Sequence, residues 1–374
     1  MTLATRSAVL PTYARTDVTF VEGDGSWLTA ADGTRYLDFA AGIAVVALGH
    51  GHPAPLAAAH EQLDRLWHVS NLYWTEPMAQ LAGLLSDRFG GAQAFFCNSG
   101  AEAIEAAIKH ARKATGRPGI VALEGSFHGR TIGALSATGQ PAKRAAFEPL
   151  VPGVTFAQLN DLASLEAAVG PDTALILVEP VQGEGGVNPA SPGFLAAAAE
   201  LAAEHGALLC FDEVQTGVGR TGSFFAFEQL GVRPHLVTLA KGLANGLPIG
   251  ALLVGDHAAP GLEPGDHAST FGGNPVVCAA ACAVVEAVDE ELLAAVRSHG
   301  QQLEQGLTEL GAVHGAGLLL GLEVASASEA VAACFDAALL VTSAGPTTLR
   351  LTPPLTVSSD EVAQAISILR EVLA

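Results

Sequence analysis

The chain has four lysines in 374 residues, and one stands apart from the others. Lys241 directly follows the apolar run HLVTLA and precedes Gly242, Asn245 and Gly246. That spacing sets an amine at the carboxyl edge of a strand, where ligands bind in open α/β sheets. By position alone it is either a strand-end lysine reaching solvent or a nucleophile. Lys109 and Lys113 lie four apart on a helix beginning near Ala101, and Lys143 adjoins Arg144, so these three read as solvated surface charges. Asp212 closes a second apolar run, ALLCFDEV, and a carboxylate at the end of a buried strand is costly unless paired. Alone it reads equally as a structural ion pair, an N-cap or a functional group. Together, a desolvated amine able to form a Schiff base and a carboxylate able to hold a pyridinium nitrogen are the groups pyridoxal phosphate requires. A phosphate cup is available at Asn98-Ser99-Gly100-Ala101, between the strand-like AFFCN and the helical AEAIEAAIKHARKA, where free N–H groups and the helix dipole favour an anion. Small residues also begin many ordinary helices.

The elements that must position these residues alternate in type. VTFVEGDGSWLTAADGTRYLDF alternates apolar and polar residues, with Asp32-Gly33 where a tight turn needs positive φ, and predicts a small antiparallel meander. From about Pro53, helical runs alternate with short apolar strands: AFFCN (94–98), GIVALEG (119–125), TALILVEP (173–180), ALLCFDEV (207–214), HLVTLA (235–240) and IGALLVG (249–255). Continuously apolar strands separated by amphipathic helices imply a mainly parallel sheet covered on both faces. After about His267 come an alanine-rich buried helix and a last segment with further α and β signals. The predicted plan is a large α/β unit flanked by a smaller one drawn from both chain ends, with no internal repeat or coiled coil.

Composition narrows the function. Lys plus Arg total 18 against 38 Asp plus Glu, a formal net charge of −20, which repels phosphate backbones and anionic lipid and argues against nucleic-acid and membrane-surface roles. Residues 1–17 hold no apolar signal core, and the uncharged stretch at 275–285 is too short to span a bilayer, so a soluble cytoplasmic protein is expected. Five cysteines (Cys97, Cys210, Cys278, Cys282, Cys334) lie mostly in apolar runs without a CxxC pair and read as reduced core residues, with no metal site.

With these pieces placed, the chain strongly resembles the class III (ornithine-type) aminotransferases that use pyridoxal phosphate, over residues 18–355. The markers, in the family's order, are DFAAGIAVVALGHGHP (38–53), FFCNSGAEAIEAAIK (95–109), FHGR (127–130), VEPVQGEGG (178–186), FDEVQTGVGRTG (211–222), LAKGLANGLPIGA (239–251), STFGGNP (269–275) and LRLTPPL (349–355). The resemblance implies a type I PLP-transferase fold: a central, mainly parallel seven-stranded sheet with helices on both faces, plus a smaller α/β domain. It implies an N-terminal segment over 1–52, a large cofactor domain over 53–260, and an interface loop, connecting helix and small C-terminal domain over 261–374. Lys241 matches the lysine that carries the cofactor and shuttles the substrate proton, and Asp212 the partner of the ring nitrogen. Gln215 matches a partner of the phenolic oxygen, Phe127 the aromatic stacked on the ring, and Ser99, Gly100 and Ala101 the phosphate turn. Glu213 and Val214 complete the cofactor contacts. Arg130 matches the guanidinium for the donor's distal carboxylate and Arg350 that for the keto acid's α-carboxylate, with Glu184 as a gate paired to Arg350 during the donor half-reaction. Ser269 and Thr270 match a loop that reaches the partner subunit's site, which implies a homodimer with shared active sites. Without the resemblance, Phe127 reads as core, the two arginines as surface ion-pair partners and Glu184 as an exposed loop acid. One departure stands out: Ala101 occupies a position where threonine is usual, so a hydroxyl to the phosphate is lost while the backbone N–H remains.

The implied reaction moves the terminal amine of N2-acetylornithine to 2-oxoglutarate in arginine synthesis. Ornithine, succinyl-diaminopimelate, 4-aminobutyrate or a carrier-linked lysine precursor are alternative donors sharing this chemistry, and the acidic surface disfavours the carrier. A noncatalytic binding protein on the same fold is the alternative of a different class, and retention of both Lys241 and Asp212 speaks against it.

Overall fold

The alternating segment after Thr19 forms strands β1 (Phe20–Asp24), β2 (Trp27–Ala30) and β3 (Arg35–Asp38), an antiparallel meander whose β2–β3 turn has Gly33 at φ +90°. The structure, a computed structural model, describes residues 8–373. Residues 1–7, which begin the segment read above for a leader and for the N-terminal unit, and residue 374, which ends the C-terminal unit, lie outside the described residues.

The apolar runs form a seven-stranded sheet from β4 (Ala92–Cys97), β5 (Gly119–Leu123), β6 (Val154–Ala157), β7 (Thr173–Val178), β10 (Leu208–Asp212), β11 (Leu236–Leu239) and β12 (Gly250–Gly255). A two-residue hairpin, β8 (Val181–Gln182) and β9 (Asn188–Pro189), follows β7. The sheet order is β4-β12-β11-β10-β7-β5-β6, and β12 alone runs against the rest, so the sheet is mainly parallel as expected. Six of the seven strands are those predicted. The seventh, β6, is a four-residue edge strand only partly buried, and its sequence VTFA lacks the continuous apolar signal of a central strand.

Every residue of β7 and β10 is buried, because both faces of the sheet are covered. Leu175 and Leu177 pack with Ile104 and Ile108 of the helix Gly100–Thr115 on one face. Ile176 and Val178 pack with Phe194 and Leu195 of the helix Pro192–His205 on the other. The alanine-rich run forms the helix Pro275–Ala287, which packs against the helices Pro53–Arg65 and Glu76–Phe89. Five short strands follow: β13 (Val313–Ala316), β14 (Leu319–Glu323), β15 (Leu339–Leu340), β16 (Thr342–Ser343) and β17 (Thr348–Leu351). Four of them form a sheet in the order β13-β14-β17-β16, while β15 pairs in parallel with β3, Leu339 opposite Leu37. The two chain ends are thus joined by a sheet, and Trp27 Nε1 donates to Glu361 of the last helix at 2.9 Å. All five cysteines are buried and unbridged. No described helix is long and apolar enough to cross a membrane.

Candidate active site

Parallel strands bring their carboxyl ends to one edge, and β7, β10 and β11 each deliver a charged residue there. Asp212 ends β10 and lies opposite Thr238 of the neighbouring β11, and Lys241 follows two residues after β11 ends. Lys241 opens a 3-10 turn (Lys241–Ala244) with φ +40°, a left-handed conformation that persists in a non-glycine residue only where the surroundings enforce it. Both side chains line one cavity of about 390 Å³, together with Ser99, Gly100, Ala101, Phe127, Arg130, Val214 and Gln215. Burial, reinforced by the Arg350 guanidinium, pushes the Lys241 amine down to about 8, against the opposing pull of Glu184, Asp212 and Glu179. A fraction of the amine is therefore neutral and nucleophilic near neutral pH.

Asp212 is held on three sides. Its Oδ1 accepts from the Val214 N–H at 3.1 Å and the Thr238 hydroxyl at 3.2 Å, and its Oδ2 lies 2.7 Å from Nδ1 of the buried His128. Glu179, just beyond β7, is also buried, and accepts from the Phe127 N–H at 2.9 Å and the Gly183 N–H at 3.3 Å. Burial pushes its carboxyl up to about 7, with Asp212 adding to the rise and His128 opposing it. Neither His128 nor Glu179 was singled out from sequence. Glu179 carries the same signal as Asp212, an acid terminating a continuous apolar strand, and that signal could have found it.

The cup residues are where their pattern placed them. Ser99 caps the helix Gly100–Thr115, its hydroxyl accepting from the Glu102 N–H at 3.2 Å, and the first-turn N–H groups of Gly100 and Ala101 have no carbonyl partner within the helix. A Cβ on Gly100 would lie 2.8 Å from both methyls of Val214, so only glycine leaves this floor open. The methyl of Ala101 lies 2.7 Å from where a Cβ on Gly129 would be. Pyridoxal phosphate fits these residues. The open helix turn suits a dianion, Asp212 suits a protonated ring nitrogen, Lys241 supplies the amine, and His128 Nε2 is a buried polar atom with no partner in the protein.

Arg350, in β17, is 1% exposed, and its Nη1 bonds the Glu184 carboxylate, the Gly183 carbonyl at 2.8 Å and Gln215 Oε1 at 3.1 Å. Its Nε donates to Thr342 of β16 at 3.0 Å. Burial raises the Glu184 carboxyl, but the Arg350 charge and hydrogen bond, with Lys241 and Lys143 behind them, hold it below its usual range. This pair joins the C-terminal sheet to the loop after β8. Arg130 is exposed at the cavity wall with its guanidinium over the Phe127 ring, 5.5 Å from the centroid.

Two expectations need correction. Glu213 is not a cavity residue: its buried carboxylate accepts from the Ala226 N–H at 2.7 Å and the Phe227 N–H at 3.0 Å, and burial pushes it up to about 8. Successive side chains leaving a strand point to opposite sides, so Asp212 and Glu213 cannot both face the cofactor. Lys143 is not a solvated surface charge: it is half-buried, with Nζ 4.7 Å from the centre of the Phe127 ring. Ser269 accepts from Asn98 Nδ2 at 3.1 Å, whereas the exposed Thr270 lines a separate cavity with His68 and Asn71 and does not reach this chain's own site.

A family model described as aminotransferase class-III matches residues 10–373. The acetylornithine aminotransferase of Corynebacterium efficiens is 48% identical over 98% of this chain and 95% of its own length. Among solved structures, the ornithine aminotransferase from Toxoplasma gondii matches at TM-score 0.94 and 31% identity, covering 99% of this chain and 93% of its own. The N-acetylornithine aminotransferase from Stenotrophomonas maltophilia matches at TM-score 0.85 and 36% identity, covering 99% and 98%.

Proposed function

The chain belongs to the class-III aminotransferases, and from this premise we propose that it transfers the terminal amino group of N2-acetyl-L-ornithine to 2-oxoglutarate. The products are N-acetyl-L-glutamate 5-semialdehyde and L-glutamate, a step of arginine synthesis. Near-full-length identity of 48% to an acetylornithine aminotransferase, against 31% to an ornithine aminotransferase, supports this donor over ornithine. The observation that carries the reading is the pair of the buried Arg350 with the partly buried Glu184, both acting on Lys241. A terminal amine arrives without a carboxylate at the reacting carbon, so an unpaired guanidinium there would repel it. Glu184 neutralises that charge. 2-Oxoglutarate brings an α-carboxylate that replaces Glu184 on the guanidinium fork, which suits planar bidentate recognition.

Pyridoxal phosphate, when bound, supplies the electron sink that stabilises negative charge at the substrate carbon. The chain's own residues do the rest. The N–H groups of Gly100 and Ala101 and the Ser99 hydroxyl would hold the phosphate, and Phe127 and Val214 would pack the ring. Asp212, braced by His128 and Thr238, keeps the ring nitrogen protonated, and Gln215 serves the phenolic oxygen. Lys241 Nζ would hold the cofactor and would move the proton at the substrate carbon, a task suited to an amine near pKa 8. Arg130 takes the carboxylate at the far end of each substrate.

In the division into residues 1–52, 53–260 and 261–374, the grouping of the first and last parts is supported by the pairing of β3 with β15. A homodimer is supported by the exposure of four large apolar side chains, Trp67, Leu72, Trp74 and Phe271, the second and third each 85% exposed. Large contiguous apolar patches mark association sites. Thr270, beside Phe271, then reaches the partner's phosphate, with Ser269 tied to Asn98 at the boundary. A donor panel against 2-oxoglutarate tests the reading. Acetylornithine is expected to have the highest kcat/KM, and a higher value for ornithine or 4-aminobutyrate would overturn the donor assignment.

A further inference from the structure

Residues 139–144 are pinned to the strand end that precedes Phe127. The Gly125 N–H donates to the Gly139 carbonyl at 2.8 Å, the Gly139 N–H to the Ser126 carbonyl at 3.0 Å, and Gln140 Nε2 to the Gly125 carbonyl at 3.0 Å. Only glycine permits this approach, because a Cβ at 139 would lie 1.9 Å from the Leu123 carbonyl oxygen. The short helix Pro141–Arg144 that follows sets Lys143 over the Phe127 ring. Arg130 and Lys143 are therefore two cations on one aromatic ring; Arg130 and the ring line the cavity, and Lys143 reaches it through the ring.

Their surroundings make this arrangement unusual for such an acidic chain. Lys113 pairs with Glu263 and Asp266, and Lys109 donates to the Asp266 carbonyl. Among the described residues, neither Lys143 nor Arg130 has a carboxylate within 4.0 Å or a side-chain hydrogen-bond partner. A ring face balances only part of each charge, and like charges held together are unfavourable until an anion joins them. Burial holds the Lys143 amine below the usual lysine range, with the Arg130 and Arg350 charges adding to the fall and Glu184 opposing it.

We propose that Lys143 is a second cation beside Arg130 at the subsite already assigned to the distal carboxylate, and that Lys143 sets the preference for substrates that carry one. This rests on the aminotransferase reading above. The γ-carboxylate of 2-oxoglutarate and the α-carboxylate of an Nα-acylated diamino acid would occupy the same two-cation clamp. Pyruvate, whose single carboxylate adjoins the reacting carbon, would leave it empty.

The test uses the holoenzyme and three variants. Lys143→Met keeps the aliphatic stem on Phe127 without charge, Lys143→Gln is a second neutral form, and Lys143→Arg restores the cation. Calorimetric binding of glutarate is expected to weaken about tenfold in the neutral variants, equivalent to about 1.4 kcal/mol, with butyrate unchanged. KM for 2-oxoglutarate is expected to rise by a similar factor, and Lys143→Arg is expected to recover most of the glutarate affinity. Unchanged glutarate binding in a neutral variant, or equal losses for glutarate and butyrate, would overturn the proposal. If wild type fails to use acetylornithine, the donor assignment falls, while the glutarate and butyrate comparison still decides the role of Lys143.

Discussion

Lys241 is a lysine that folding makes less basic. Its amine, pushed down to about 8, is charged below that pH in the native state and neutral above it. In the unfolded chain it titrates near the free-lysine value of about 10.4. Below pH 8 both states carry the proton, so the full cost of burying the charge is present; as pH rises toward 10.4 the native state binds fewer protons and the cost disappears. Cofactor-free Lys241→Met is accordingly expected to be more stable than wild type at pH 7, with the advantage shrinking between about pH 8 and 10. Paired thermal melts check this, and a constant difference would argue against a depressed amine. In the holoprotein, borohydride is expected to fix the cofactor to the Lys241 peptide, not to those of Lys109, Lys113 or Lys143. Arg350 supplies a second test at this scale. Arg350→Ala leaves Glu184 and Gln215 without their buried partner and is expected to slow the keto-acid half-reaction by about 2–5 kcal/mol. Glu184→Ala is expected to slow the terminal-amine donor and spare glutamate. Stopped-flow traces of each half-reaction separate these cases, and equal losses in both halves for Arg350→Ala would sink the gate.

Among the elements, the junction of β4 with the helix Gly100–Thr115 and the loop after β10 form two sides of one cradle. Gly100 and Val214 meet there so closely that a Cβ on the glycine needs Val214 to move. Gly100→Ala is expected to lower cofactor affinity by about tenfold or more, and Val214→Ala on that background to restore part of it, the non-additivity expected of residues in contact. Equilibrium titration of the apoprotein measures both, and additive losses would show that the cradle is not shared. Glu213 belongs to this scale because it braces the loop. Glu213→Ala exposes two buried N–H groups to no acceptor and is expected to cost about 1–3 kcal/mol of stability per group. Glu213→Gln, retaining an acceptor, is expected to leave cofactor affinity unchanged.

At the scale of the whole molecule, the proposed homodimer is tested at the exposed Trp74 and Phe271 and at Thr270, which lines a cavity apart from this chain's own site. Trp74→Glu is expected to shift the protein toward monomer in sedimentation and to weaken cofactor binding with it. Mixed Lys241→Ala and Thr270→Arg chains, each inactive alone, are expected to recover activity, because one of the hybrid's two sites combines the intact members. Two inactive partners that exchange subunits without any recovery would count against a shared site.

The sequence alone determined the alternation of buried strands and covering helices, because a strand buried on both faces must be continuously apolar. It also determined where the charged chemistry begins, since a lone acid or amine ending such a run emerges at the sheet's carboxyl edge. Asp212 and Lys241 were legible for that reason, and Glu179 carries the same signal. The edge strand β6 was not legible, because four residues of which only Ala157 is buried satisfy no strong pattern. Tertiary structure alone decided what depends on direction and on contacts between distant segments. It turned Asp212 into the cavity and Glu213 out of it, set Arg350 of β17 against Glu184 some 166 positions earlier, and laid Lys143 on Phe127 through a glycine contact. Local pattern records which residues must be buried. Only the packed chain fixes which charges meet, because an ion pair or a cation on a ring leaves no periodic trace in the sequences that form it.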